Sequence, residues 1–282
     1  MKRFVSMIVI IGLLLSFSSC GKSKTDGIKV YEPGDSEDSI KANQLDAFAG
    51  LDITITGISP FCDVSINTSG CSSEVQQNVS FKTDKGKYAN GDKITVTAQV
   101  KSDKTNFYSL VTPSKQFDVL NMPEYISSVD GLDLSTVKKE RDDYVTAKCA
   151  EVKSSDKAFG EYVHWGWRTE SVLTKDLKDT YMLSLKSNKR EKYNSNTNYQ
   201  RNAICFLYHI VFITNDGKKQ NVYVNISAEN IVKYPDGTIK WGSESADDFD
   251  FQASVSDKSI EDVTATSITS MSADYDIKKI TV

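Results

Sequence analysis

Apolar and polar positions divide the chain into stretches of different period. Residues 4–17, "FVSMIVIIGLLLSF", are almost wholly apolar and have no polar face. Residues 21–46 are polar and carry few large side chains. Between 47 and 121 several short stretches alternate apolar and polar residues. Leu51, Ile53 and Ile55 alternate with Asp52, Thr54 and Thr56, and Ile94, Val96, Ala98 and Val100 share one side of 92–100. Period two with β-branched side chains predicts half-buried strands at 51–56, 79–83, 92–100 and 114–120. The Asn90-Gly91 dipeptide supplies a turn. Several short strands without a helical period predict a small Ig-like β-sandwich over 47–121.

The period changes after residue 122. Val137, Arg141, Val145, Cys149 and Val152 fall on one helical face, which predicts a helix over 135–152 with Asp133 or Ser135 at its start. Alternation then returns in "GEYVHWGWRTESVLT", "DTYMLSLKS", "RNAICFLYHIVFIT", "KQNVYVNISAENIVKY" and "TIKW". Asp216-Gly217 and "YPDGT" (234–238) read as turns. Residues 257–272 read as a helix weakened by serine and threonine. The expected architecture is mainly β with α+β. An N-terminal sandwich is followed by a helix plus antiparallel-sheet domain over 122–282.

The apolar run is about 21 Å long as a helix, too short for the ~30 Å hydrocarbon layer of a bilayer. Lys2 and Arg3 precede it, and Ser18, Ser19 and Cys20 follow. That order describes a secretory signal over 1–19. The cysteine at its exit resembles the lipobox of bacterial lipoproteins, with Phe17 standing where leucine is usual. The resemblance implies cleavage before Cys20 and a diacylglycerol on its sulfur, with no other cofactor. It implies a lipid-anchored protein on the extracytoplasmic face of the bacterial cell membrane. Residues 20–46 would then be a flexible tether.

Net charge is −4, and removing residues 1–19 leaves −6, a balance that does not point to nucleic acid. With 2 histidines, a histidine-rich metal site is excluded. Cys62 and Cys71 flank a turn-like Asn-Thr-Ser-Gly, and a bridge between them would contribute about 2.7 kcal/mol in the chain-entropy model. Cys149 and Cys205 would then pair or stay as buried thiols. The chain lacks C-x-x-C, G-x-S-x-G, H-E-x-x-H and phosphate-loop patterns.

Candidate ligand contacts are His164, Trp165 and Trp167 in "YVHWGW", an aromatic platform for a carbohydrate unless the tryptophans fill the core. His209 lies in a greasy strand and reads as a satisfied structural group. Lys186, Lys189, Arg190 and Lys192 offer a cationic loop for anionic wall polymers or lipid heads. Glu244, Asp247, Asp248 and Asp250 form an acidic cluster without full calcium-loop spacing.

Taken together, lipobox, tether, "GLDITITGIS", "YANGDKITVTAQV", "FDVLNMPEYISSVDGLD" and "FLYHIVFITNDGKKQNVYVNISAENIVKYPDGTI" resemble a group of surface lipoproteins of Gram-positive (Firmicutes-type) gut bacteria, some fused to zinc ribbons. No zinc ribbon occurs here. The resemblance transfers no catalytic residue. The expectation is a non-catalytic binding module whose partner is a cell-wall polymer or surface protein. The alternative is a cell-envelope hydrolase using carboxylates of the C-terminal domain. Solute capture would need two hinged α/β lobes, and the helical content is too low for them.

Overall fold

The computed structural model describes residues 42–151, 157–159, 161–162, 169–189, 200–242 and 251–281. Its secondary structure is mostly strands, arranged in several antiparallel sheets with few helices.

The N-terminal half holds β1 (Asn43–Leu45), β2 (Asp52–Thr56), β3 (Asp63–Asn67), α1 (Ser73–Asn78), β4 (Val79–Thr83), β5 (Lys93–Val100), β6 (Tyr108–Leu110) and β7 (Ser114–Asp118). β2 and β3 pair antiparallel, with Ile53 opposite Ile66 and Ile55 opposite Val64. β5 is the centre of an antiparallel sheet between β4 and β7. Its alternate residues Ile94, Val96, Ala98 and Val100 are buried, as their period-two spacing predicts. Phe48, Leu51 and Phe81 touch both buried clusters of this half and join them into one core.

Folded structure starts earlier than the tether boundary at 46. β1 pairs in parallel with β6, and Leu45 and Ala47 are buried. The polar pair Asn43 and Gln44 before them hides this from a periodicity reading. α1 also has no apolar period. It is nucleated by Ser72, whose hydroxyl accepts from the Val75 N–H at 3.3 Å.

The C-terminal half holds β8 (Glu124–Tyr125), α2 (Ser135–Glu151), β9 (Lys157–Ala158), β10 (Glu161–Tyr162), β11 (Thr169–Leu185), β12 (Asn202–Thr214), β13 (Lys219–Glu229), β14 (Val232–Lys233), β15 (Ile239–Lys240), β16 (Phe251–Ser256), α3 (Ile260–Ser267) and β17 (Tyr275–Ile280). α2 buries the predicted face of Val137, Arg141, Val145 and Cys149. The Asp133 carboxylate accepts from the Ser135 N–H at 2.9 Å at its start.

An antiparallel sheet in the order β16-β13-β12-β11-β17 forms the middle layer. The β12–β13 hairpin closes at Gly217, whose φ of 78° suits glycine. Ile204, Phe206, Tyr208, Ile210 and Phe212 meet α2 on one face. Ala203, Cys205 and Leu207 meet α3 on the other, with Val263, Ile268 and Tyr275. The sheet is therefore covered from both sides.

The halves are joined by more than the chain. Ser59 bridges to Glu124 of β8: the Ser59 N–H donates to the Pro123 carbonyl at 2.8 Å, and the Tyr125 N–H donates to the Ser59 carbonyl at 3.1 Å. Arg201 places its guanidinium 4.4 Å from the Phe61 ring centre, a cation–π contact across the junction. Residues from Ala42 onward form one compact unit.

Candidate functional site: the open edge of the central sheet

β11 is the longest strand described, 17 residues, and it has two unequal edges. On one side β12 pairs with it from Thr169 to Ser184. On the other, β17 pairs only with Thr180–Leu185. Among the described residues, 169–179 have no second neighbour. At about 3.4 Å per residue this leaves roughly 35 Å of edge. Residues 171 and 173–178 are exposed, including Leu173 at 50% and Leu177 at 38%.

Such an edge presents unpaired backbone donors and acceptors to which another strand can add. β11 guards it by two devices. Register shifts at 169/171, 172/174 and 177/179 bend the strand. Charges line it: Lys178 pairs with Asp176 at 3.2 Å, and Lys279 pairs with Asp179. The same charges break the apolar alternation, so the sequence reads as two strands where the fold has one.

On the face that α3 covers, the sheet carries a polar aromatic patch whose Tyr223 packs against the α3 cluster. His209 faces Asp176 in the ladder on one side and Tyr223 on the other. The His209 and Tyr223 rings stack with centroids 4.9 Å apart, tilted by 13°. His209 Nε2 lies 2.9 Å from Asn221 Oδ1, a contact that an Nε2–H satisfies. The histidine is thus a partnered, half-buried group, in line with its reading as structural.

Across the sheet, α2 brings a buried cation against the same end. The Arg141 side chain is 8% exposed, its guanidinium 4.8 Å from the Phe206 ring centre. Its Nε and Nη2 donate to Asp142 Oδ1 at 2.9 and 2.8 Å, and Nη1 has no hydrogen-bond partner. Burial pushes the Tyr208 phenol up to about 12, with the Arg141 charge opposing and Asp142 adding to the rise. Lys175 Nζ donates to Thr146 Oγ1 at 2.7 Å and ties β11 to α2.

The four described cysteines correct the disulfide expectation: all are free and buried. Cys62 sits in the cluster with Tyr88 and Ile94, and Cys71 in the one with Val75 and Val79. The chain between them runs out along β3, about 16 Å of extended backbone, instead of folding back as a hairpin. Cys149 and Cys205 lie on opposite faces of the sheet. Burial raises the thiols of Cys62 and Cys149 to about 11 and that of Cys205 to about 12, which leaves them poor nucleophiles.

The other sequence candidates divide plainly. Cys20, His164, Trp165, Trp167, Arg190, Lys192, Glu244, Asp247, Asp248 and Asp250 lie outside the described residues. Lys186 and Lys189 do not form a free cationic loop tip. Lys186 Nζ donates to the Ser272 carbonyl at 2.6 Å, and Lys189 pairs with Asp274 at 3.1 Å. Among the described residues no group of three or more His, Cys, Asp or Glu side chains converges as a metal site. Comparison with known protein families, with curated proteins and with solved structures finds no match.

Proposed function

We propose that this chain is a membrane-anchored extracytoplasmic lipoprotein that acts as a non-catalytic binding module, fastened through a diacylglycerol on Cys20. Its N-terminal half is read as an Ig-like spacer. The facing of the β2–β3 hairpin and the β4–β5–β7 sheet across one core supports that reading. The observation that carries the binding role is the edge of β11 that no strand among the described residues covers, with Leu173 and Leu177 exposed along it. An extended segment of a surface protein adds there as one more strand, in line with β17. Backbone hydrogen bonds supply affinity, and side-chain alternation supplies selectivity.

The anchor is tested by labelling cells with a fatty-acid analogue. The chain takes up label, and Cys20→Ala abolishes it. The binding role is tested by solid-phase binding of the purified protein to secreted proteins and wall polymers. Leu173→Lys with Leu177→Lys removes binding to a protein partner while the fold is kept. Binding unaffected by that pair, or turnover of an envelope substrate, counts against the proposal.

A further inference from the structure

We infer that Phe107 and Val111 form a ridge that rests on the lipid surface, so that the folded unit is held against the membrane by its tether end. This inference rests on the anchor reading above and adds an orientation to it. Isolated exposed apolar residues are ordinary on protein surfaces. These two are not isolated from each other. Phe107 is 57% exposed and Val111 58% exposed, immediately before and after β6. Tyr108 and Leu110 between them point inward to the cluster of Val75, Val79 and Ala98. Strand alternation therefore puts Phe107, Ser109 and Val111 on the outer side, with the two apolar groups about 13 Å apart.

The chain itself says what lies against this side. β1, the first described strand, is laid along β6, so the tether from residue 20 joins the folded unit here. The Asn43 N–H donates to the Phe107 carbonyl at 2.8 Å, and the Val111 N–H donates to the Leu45 carbonyl at 2.9 Å. The 23-residue step from Cys20 to Asn43 limits the covalent reach between anchor and β1 to at most about 80 Å. An anchored tether of that length keeps the ridge near the bilayer at a high effective concentration, so weak insertion suffices. The flanking turn adds the exposed Lys101 and the half-exposed Lys104, which pairs with Asp103 at 3.4 Å. Leu120, equally apolar and 62% exposed, supplies the internal comparison. It follows β7, whose Asp118 pairs with Lys93 at the start of β5, whereas Phe107 follows the turn after Val100 at its end. The two lie at opposite ends of a strand about 23 Å long.

The test uses the full lipidated chain in vesicles of phosphatidylcholine and phosphatidylglycerol, with and without brominated acyl chains. Tryptophan fluorescence of Phe107→Trp and of Leu120→Trp is compared with that of the unsubstituted protein. Circular dichroism checks that both variants are folded. The inference expects the added emission of Phe107→Trp to be lost in brominated vesicles and that of Leu120→Trp to persist. If the chain sediments with the vesicles but Phe107→Trp is quenched no more than Leu120→Trp, the ridge is wrong and the anchor stands. If the chain does not sediment with vesicles, the anchor reading fails and the ridge fails with it.

Discussion

Asn202 binds the carbonyl of Ile126, a residue 76 positions earlier, through its side-chain Nδ2 at 2.7 Å. The same Nδ2 donates to the Ile231 carbonyl at 2.8 Å, and Oδ1 accepts from the Ile231 N–H at 2.6 Å. One buried amide thus holds together the connection between halves, the start of β12 and the entry to β14. Each hydrogen bond satisfies a backbone group that has no water to turn to.

Asn202→Leu keeps the approximate volume and removes these bonds. The orphaned backbone groups should cost about 3 kcal/mol or more in all. For a chain of this size that lowers the melting temperature by roughly 6–12 °C. Thermal unfolding followed by circular dichroism reads it, and a shift under 2 °C would show the junction to be dispensable.

The buried thiols make a second prediction, which also reports on Cys20. The native chain should react negligibly with a disulfide reagent such as Ellman's. Denatured, the lipidated chain should titrate four thiols and a chain with free Cys20 five, because all the described cysteines are unpaired. A count of two or fewer in the lipidated chain would restore the disulfides.

The pH dependence follows from the same burial. The folded thiols of Cys62, Cys149 and Cys205 ionise at about 11 to 12, above their unfolded value near 8.5. The unfolded state therefore loses protons first as pH rises. The neutral thiols' contribution is complete below about pH 8.5 and declines progressively above it. Melting temperature should fall between pH 8 and pH 10.5, and Cys205→Ala should flatten that slope while lowering the plateau.

Gly50 and Gly70 make a backbone crossing that admits no side chain. A Cβ on Gly50 would lie 2.0 Å from the Gly70 carbonyl oxygen, and Gly50 has φ +75°. Gly50→Ala should destabilise by about 1–3 kcal/mol through forced displacement and strain. By contrast Gly86→Ala, where a Cβ meets nothing within 4 Å, should be close to neutral. Urea titration of the two variants compares them directly.

Arg141 carries its charge among apolar groups with one nitrogen unpaired, so its ion pair contributes little net stability. Arg141→Met should be within about 1 kcal/mol of the native chain, because the methionine fills the space over Phe206. Asp142→Ala should cost more, about 1–2 kcal/mol, because it leaves the guanidinium buried without its carboxylate. The reverse order in denaturant unfolding would make the pair a stabilising one.

The spacing of residues was enough to determine what depends on neighbours a few positions apart. β4, β5 and α2 fall where periods of 2 and 3.6 put them, and the buried face of α2 is the predicted one, Arg141 included. The turn at Asp216-Gly217 follows from the positive φ that glycine supplies. Tertiary structure alone decided the rest. Four cysteines allow three pairings on paper, but a sheet one strand thick separates Cys149 from Cys205 and forbids theirs. Charges at Lys175, Asp176, Lys178 and Asp179 look like a break between two strands, yet in the fold they guard the open edge of one. β1 has no period of its own and forms because β6 is there to pair with it. Local periodicity reports which side of an element is buried, while the choice of partner across that buried side depends on contacts between residues far apart in the chain.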